Sequence, residues 1–277
     1  MRAATWNCSA PSRGRRSGRA EEERRGWPAL CRPSASCFPV VLRCVLSIAR
    51  RRSRNKEAPL PDEALFATIR EKLFTAVIGD VMDAAGLTRQ FLPPEIRALT
   101  PDAMVVGRAM TVLEADTELG TDEGFGLMFR ALDDLKPGEV YICSGASPTY
   151  ALWGGLMSAR AMKLGATGAV LDGYHRDTRE ILSLGFPVFS SGAYAQDQRL
   201  RGKVLDFRCP LTFRNGARVA AGDVIIGDID GVLAIPAAQA PDIVQAALDK
   251  VNGEETVRKM ILAGARTEDA FNETGIM

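Results

Sequence analysis

Two adjacent residues, Arg176 and Asp177, carry the chemistry that can be read most directly from this chain. Arginine presents a planar, permanently charged fork suited to a carboxylate or to an oxygen on which negative charge develops. Aspartate is a hard oxygen ligand, and one carboxylate completed by waters and substrate oxygens is a usual way to hold Mg²⁺ or Mn²⁺. Taken alone, an Arg-Asp pair is by default a surface ion pair or a helix cap. About twenty residues upstream stands Gly154-Gly155, ahead of a helical pattern. Two glycines there expose successive backbone N–H groups at the positive end of a helix, a ready carboxylate site. The same pair would also let a helix pack tightly on a sheet. His175, the one histidine, adjoins the pair and is a candidate general base. Lys163 falls near a helix C-terminus, where a cation is expected in any case. Cys143 has no basic neighbour in sequence, and Asp80 and Asp83, three apart, read as a solvated helix face. Neither a C-x-x-C spacing nor a dinucleotide-type G-x-G-x-x-G follows a strand.

These residues need elements to position them. The stretch from Trp153 to Ser190 reads as helix, strand, loop, helix, strand. Leu156, Met157, Ala159 and Met162 give an apolar helical face, ended by Gly165. Gly168–Asp172 is a short buried strand, Gly173–Asp177 the loop at its carboxyl end, and Thr178–Leu184 a helix stopped by Gly185. Phe186–Phe189 starts the next strand. Such close alternation predicts a parallel sheet with right-handed crossovers, and ligands of open α/β sheets bind outside the carboxyl ends of the strands.

Elsewhere, Asp62–Leu73 and Phe74–Gly86 read as helices, the second starting at Thr75. Met104–Leu113 is a core strand in which Gly107 permits a bulge or close approach. Thr121–Leu132 reads as a helix and Val140–Cys143 as a strand. Ser191–Lys203 is polar, with no role legible in its pattern. Val204–Phe207 and Leu211–Phe213 are short strands, Asn215-Gly216 is a hairpin turn, and Gly222–Pro236 gives two strands around a turn. A last helix starts with Pro241 in its first turn and is interrupted or ended at Gly253.

A chain of 277 residues can bury a sizeable core, and 46% hydrophobic with 25% charged residues is the balance of a soluble globular protein. The net charge of +1 hides an asymmetry. Residues 1–56 hold about fourteen Arg and Lys against three Glu, which leaves the remainder acidic by roughly ten charges. An acidic body is ill suited to nucleic acid. The apolar run Cys37–Leu42 is far too short to span a bilayer. The N-terminal segment reads as a disordered basic extension. Glu21–Glu23 argue against a transit peptide.

Gly154-Gly-Leu-Met157, then Arg176-Asp177 and G-F-P-V-F-S, together with Gly222-Asp223…Asp228-Ile-Asp-Gly231-Val, resemble the RraA-like family. That family includes 4-hydroxy-4-methyl-2-oxoglutarate aldolases and regulators of ribonuclease E. The resemblance covers roughly Leu65–Pro236. It implies a compact α/β sandwich of the swivelling, phosphohistidine-domain-like kind, with a central mixed sheet and a smaller β layer. Residues 1–58 would be an extension and 59–277 the lyase domain. The implied activity is a class II aldolase and oxaloacetate decarboxylase, cytoplasmic, assembled as a homotrimer or homohexamer. Arg176 would contact a 2-oxo acid, Asp177 would bind Mg²⁺ or Mn²⁺, and Gly154, Gly155, Leu156 and Met157 would line the substrate. Some aldolases of the family carry an acid where this chain has Gly155, so a proton would have to be relayed by a bound water or another acid, for example Glu254 or Glu255 of a neighbouring subunit. The other reading of the resemblance is a non-catalytic regulator that binds a ribonuclease.

Overall fold

The computed structural model describes residues 62–118 and 124–276. The basic segment 1–58 and the expected helix start at Thr121 lie outside the described residues. The described chain forms helices α1 (Asp62–Lys72) and α2 (Thr75–Ala84), then strands β1 (Arg97–Ala98) and β2 (Val105–Asp116). Next come α3 (Met128–Asp133), β3 (Glu139–Ser144), β4 (Ala151–Trp153), α4 (Gly155–Lys163), β5 (Gly168–Leu171), β6 (Tyr174–His175), α5 (Thr178–Leu184) and β7 (Val188–Ser190). The chain closes with β8 (Gly202–Phe207), β9 (Leu211–Thr212), β10 (Arg218–Val219), β11 (Val224–Asp228), β12 (Gly231–Ile235), a 3₁₀ turn, α6 (Ala240–Leu262) and α7 (Thr267–Thr274).

Eight strands make one mixed sheet in the order β1-β7-β5-β3-β2-β11-β12, with β8 also paired to β2. The β2-β3, β3-β5 and β5-β7 pairs are parallel; β11 and β8 run antiparallel to β2. The segment before β1 bridges back to β12 through Phe91 and Leu233, so the sheet nearly closes on itself. Side chains alternate between its two faces, as the pleat requires. Val105, Ala109, Val140, Ile142, Val170, Phe189, Ile225 and Ala234 fill one face, where the β9-β10 ribbon packs through Leu211 and Val219. The opposite face is covered in two parts. Helices α3, α4 and α5 lie over Met110, Val112, Tyr141, Leu171 and Val188, whereas α1, α2 and α6 lie over Val106, Val224, Ile226 and Leu233. Because both faces are buried, the strands read as continuous apolar runs rather than as alternating ones. This is the mixed sheet with a smaller β layer that the sequence implied.

Two expectations need correction. Of the helix expected over Thr121–Leu132, the described residues from 124 onward are helical only from Met128, in Met128–Asp133, because Phe125 and Leu127 exchange backbone hydrogen bonds with Val204 of β8 instead. The last helix does not stop at Gly253 but runs unbroken for 23 residues. A Cβ at Gly253 would stand 2.3 Å from the Ile276 side chain, so this glycine makes room for the chain end crossing the helix. Gly107, by contrast, does serve a close approach, since a Cβ there would lie 2.4 Å from the carbonyl oxygen of Gly138.

The core also encloses a carboxyl. Glu114 of β2 is 1% exposed and accepts a 2.6 Å hydrogen bond from Gln198 Nε2. Burial pushes its carboxyl up to about 8 against the opposing pull of that hydrogen bond, so the folded protein holds a proton that the unfolded chain releases above its ordinary value of 4.5. Stability therefore falls as pH rises through that window and levels off above it, by at most about 1.4 kcal/mol per pH unit. Glu114→Gln has no proton to lose. Thermal melts of both proteins from pH 5 to 8.5 should show the variant gaining on the wild type as pH rises; parallel curves would contradict the buried neutral carboxyl.

Candidate functional site at the start of α4

The site begins with how α4 sits. Its buried positions are Gly155, Ser158 and Ala161, all small, whereas Leu156 is 81% and Met162 41% exposed. The apolar face expected from Leu156 and Met162 thus points outward, and only Met157 of that set packs against the core. Small residues let α4 settle on the large ring of Trp153, which is buried between Tyr141 and Phe186. Trp153 Nε1 donates to Ser158 Oγ at 2.7 Å, and Ser158 Oγ donates onward to the Gly154 carbonyl at 3.1 Å. These bonds tie the first turn of the helix to β4.

Strand β6 lies parallel beside β4, and the N–H of Arg176 donates to the Trp153 carbonyl at 2.9 Å. The next residue, Asp177, takes a left-handed backbone conformation (φ 57°), uncommon for a side chain other than Asn, Asp or Gly. It stands at the N-cap of α5 but makes no side-chain cap there. Its Oδ2 instead accepts the Gly155 N–H at 3.1 Å, so the carboxylate caps the neighbouring helix. The carboxylate expected from outside at Gly154-Gly155 is, in the folded chain, partly supplied by Asp177 itself. A Cβ at Gly154 would stand 2.6 Å from this same oxygen, which is why that position has to be bare.

Arg176 and Asp177 remain accessible, with side chains 39% and 43% exposed. The Arg176 Nε lies 3.8 Å from Asp177 Oδ2, and Nη1 lies 3.4 Å from Asp197 Oδ1. Two adjoining clefts meet at Asp177 and Thr178. One, of about 670 Å³, is lined also by Arg179, Glu180 and Ser183. The other, of about 330 Å³, is lined also by Arg176, Ala193, Tyr194 and Ala195. The structure therefore brings Gly154, Gly155, Arg176 and Asp177 together, sets Leu156 out in solvent beside them, and turns Met157 inward.

Sequence reasoning missed Glu180 altogether. A Cβ at Gly155 would come 2.1 Å from Glu180 Oε2, so the glycine leaves the space that this carboxylate occupies. The available signal was its spacing, three residues beyond Asp177 on a helix. Among the described residues, the Glu180 carboxylate has no hydrogen-bond or ion-pair partner, whereas Glu254 pairs with Lys250, and Glu255 with Arg258 and Lys259.

His175 is 2% exposed, with Nδ1 2.7 Å from Ser190 Oγ and Nε2 3.1 Å from Thr178 Oγ1. Burial draws its pKa below 6.5. Both ring nitrogens are engaged by hydroxyls, so the imidazole is a neutral strut between α5 and β7, not a base facing substrate. Cys143 is buried, and burial pushes its thiol up, away from the thiolate a nucleophile needs. Lys163 ends α4 in solvent, and Asp80 pairs with Lys250.

The donor set discriminates between metals. Among the described residues no three His, Cys, Asp or Glu gather to hold an ion, which does not suit the closed N/S shell of structural zinc. One exposed carboxylate with room for water suits Mg²⁺ or Mn²⁺.

Gly155→Ala separates packing from chemistry. The new methyl would meet Glu180 at Oε2, Cδ and Cγ, so that side chain must swing aside as a whole. It is a surface side chain with no backbone in the way, so the melting temperature should hold within about 3 °C. If the placement of that carboxylate matters, turnover should drop about tenfold or more. Equal activity, measured alongside the melt, would show that Glu180's position is incidental.

A family profile described as RraA-like, Aldolase/RraA, matches residues 75–234. The protein DlpA of Legionella pneumophila is 29% identical over 198 residues, 71% of this chain, but the match spans only 31% of DlpA's own length. A Halalkalibacterium halodurans protein, named as a candidate 4-hydroxy-4-methyl-2-oxoglutarate aldolase, is 30% identical over 188 residues, covering 68% of this chain and 84% of that protein. Among solved structures, RraAS2 of Streptomyces coelicolor, described as an unusual member of the RNase ES inhibitor RraA protein family, superposes with a TM-score of 0.63. At 24% identity, covering 72% of this chain and 97% of the other, it speaks for the fold. The match across 75–234, more than half of the chain, places it in the RraA-like family, with which its nearly closed mixed sheet agrees.

Proposed function

We propose that this chain is a divalent-metal-dependent carbon–carbon lyase that cleaves 4-hydroxy-2-oxo diacids of the 4-hydroxy-4-methyl-2-oxoglutarate type to pyruvate and decarboxylates oxaloacetate. The observation that carries the reading is the pairing of an accessible guanidinium with an accessible hard carboxylate where two clefts meet. The likeness to the Halalkalibacterium halodurans protein supports the substrate class.

Arg176 binds the 2-oxo acid end of the substrate, its fork matching a carboxylate in two hydrogen bonds. Asp177 is the residue that would hold Mg²⁺ or Mn²⁺, with waters completing the shell. When bound, the cation supplies Lewis-acid stabilisation to the oxygen on which negative charge develops. Glu180 Oε2 takes the proton of the C4 hydroxyl. The C3–C4 bond then breaks, C4 becomes a carbonyl, and the bonding pair moves into the enolate of pyruvate. The same proton returns to C3 to give pyruvate. Oxaloacetate needs no proton removed before its bond breaks, because CO₂ departs and leaves the same enolate. One arrangement therefore serves both reactions. Leu156, Met162 and Leu182 are exposed on α4 and α5, an apolar surface that supports assembly of copies as a trimer or hexamer.

The test is pyruvate release from oxaloacetate and from 4-hydroxy-4-methyl-2-oxoglutarate, with and without Mg²⁺. Asp177→Asn keeps the side-chain shape but not the charge, and should lower Mg²⁺-dependent turnover about a hundredfold or more. Arg176→Lys should cost about tenfold or more, since an ammonium cannot reproduce the fork. Both residues are accessible, so both variants should melt close to the wild type. Full Mg²⁺-stimulated activity in Asp177→Asn would refute the reading. So would a wild type inactive on both substrates yet tightly bound to a ribonuclease.

A further inference from the structure

The polar stretch Gly192–Gln198 has no element of its own, yet it is held at several points around the site. His175 N–H donates to the Gly192 carbonyl at 3.0 Å, and Tyr194 N–H donates to the His175 carbonyl at 2.8 Å. Farther along, Ala151 N–H donates to the Gln196 carbonyl at 2.8 Å, and Ala151 bridges to Asp197 in parallel register. The stretch thus runs along both β6 and β4, the two short strands that lead into Arg176 and into Gly154. Its far end is anchored in the core. Gln198 is 2% exposed and donates from Nε2 to the buried carboxyl of Glu114 on β2. A polar side chain is buried at little penalty only when hydrogen-bonded, so this pair fixes where residue 197 emerges. From there Asp197 Oδ1 reaches Nη1 of Arg176 at 3.4 Å, while Arg201 Nη1 donates to the Asp197 carbonyl at 3.2 Å.

We infer that Gly192–Gln198 is the positioning arm of this site, with Asp197 orienting the Arg176 guanidinium and the buried Gln198–Glu114 pair fixing Asp197. Arg176 is flanked by carboxylates on two sides, Asp177 at Nε and Asp197 at Nη1. Without Asp197, a long side chain that is 39% exposed would sample rotamers in solvent, and its fork would have to be ordered anew for each ligand. Asp197 touches Arg176 rather than the reacting atoms, so it is a positioning residue. The inference rests on the reading of Arg176 as the substrate-binding cation, but its structural half can be measured apart from any turnover.

The experiment combines two readouts on the full chain. Phenylglyoxal labelling, followed by mass spectrometry of the Arg176 peptide, reports how freely the guanidinium is presented. Calorimetry with oxalate, a planar mimic of the pyruvate enolate, reports how well it binds. Asp197→Ala should raise the Arg176 labelling rate several-fold, weaken oxalate about tenfold and raise KM for oxaloacetate more than it lowers kcat. The melting temperature should stay put, since the Asp197 side chain is 36% exposed. Glu114→Leu should reproduce the labelling change because Gln198 loses its acceptor, whereas Glu114→Gln keeps an acceptor and should behave like the wild type. If Glu114→Leu fails to fold, Gln198→Leu and Asp197→Ala carry the comparison. Unchanged Arg176 labelling in Asp197→Ala overturns the inference whatever the activity. Faster labelling in a protein that neither binds oxalate nor turns over oxaloacetate upholds the positioning arm and refutes the lyase reading.

Discussion

A single hydrogen bond, from the N–H of Gly155 to Oδ2 of Asp177, organises the functional end of this molecule. It joins the start of α4 to the start of α5 through the carboxylate of a residue that leaves its own helix uncapped. For that oxygen to arrive, Gly154 must lack a side chain and Asp177 must adopt a left-handed backbone. The strained conformation, with a cost of order 1 kcal/mol, is held by surrounding structure. β6 lies against β4, and His175 is pinned between two hydroxyls just before the turn. Arg176 and Glu180 then find their places by covalent proximity, one residue before and three residues after.

Beneath this stands the long strand β2. Its first third pairs with β11, its middle with β3 and its last third with β8, so it links the parallel and antiparallel parts of the sheet. The parallel part carries α4 and α5 on one face, and the positions of both depend on small residues and a buried tryptophan rather than on a broad apolar stripe. Near its end β2 also contributes Glu114, which holds the far end of the stretch that reaches Arg176. A buried neutral carboxyl is an unusual choice of anchor. It gives direction, through one short bond from a defined amide, where apolar packing would give only position.

The alternation of helix and strand from Gly155 to Ser190 was legible because each element is short and closed by glycine; α5 runs over Thr178–Leu184 as read. The pair Asp228 and Asp230, noted only as part of a resemblance, proves structural at Asp228, which accepts both the N–H and the hydroxyl of Thr75 and so caps α2. What could not be read depends on partners distant in sequence. Ala151–Trp153 is too short for a periodic signal and becomes a strand only beside β6. Leu156 and Met162 mimic a core face, because pattern alone cannot show that Trp153 leaves room only for small side chains beneath α4. Gly155 reads as the absence of an acid until folding brings Glu180 to that spot from the next helix. The Gly192–Gln198 stretch, polar and without period, takes its form from β4, β6 and a carboxyl 84 residues away.

The central claim is that Asp177 holds a catalytic cation beside a guanidinium that binds a 2-oxo acid. Its most direct test is Mn²⁺ binding followed by electron paramagnetic resonance in the wild type and in Asp177→Asn, with and without oxalate. The account predicts Mn²⁺ bound in proportion to chains, a spectrum that changes on adding oxalate, and loss of both in Asp177→Asn. Mn²⁺ retained undiminished by Asp177→Asn, or a wild type that binds none even with oxalate present, would contradict it.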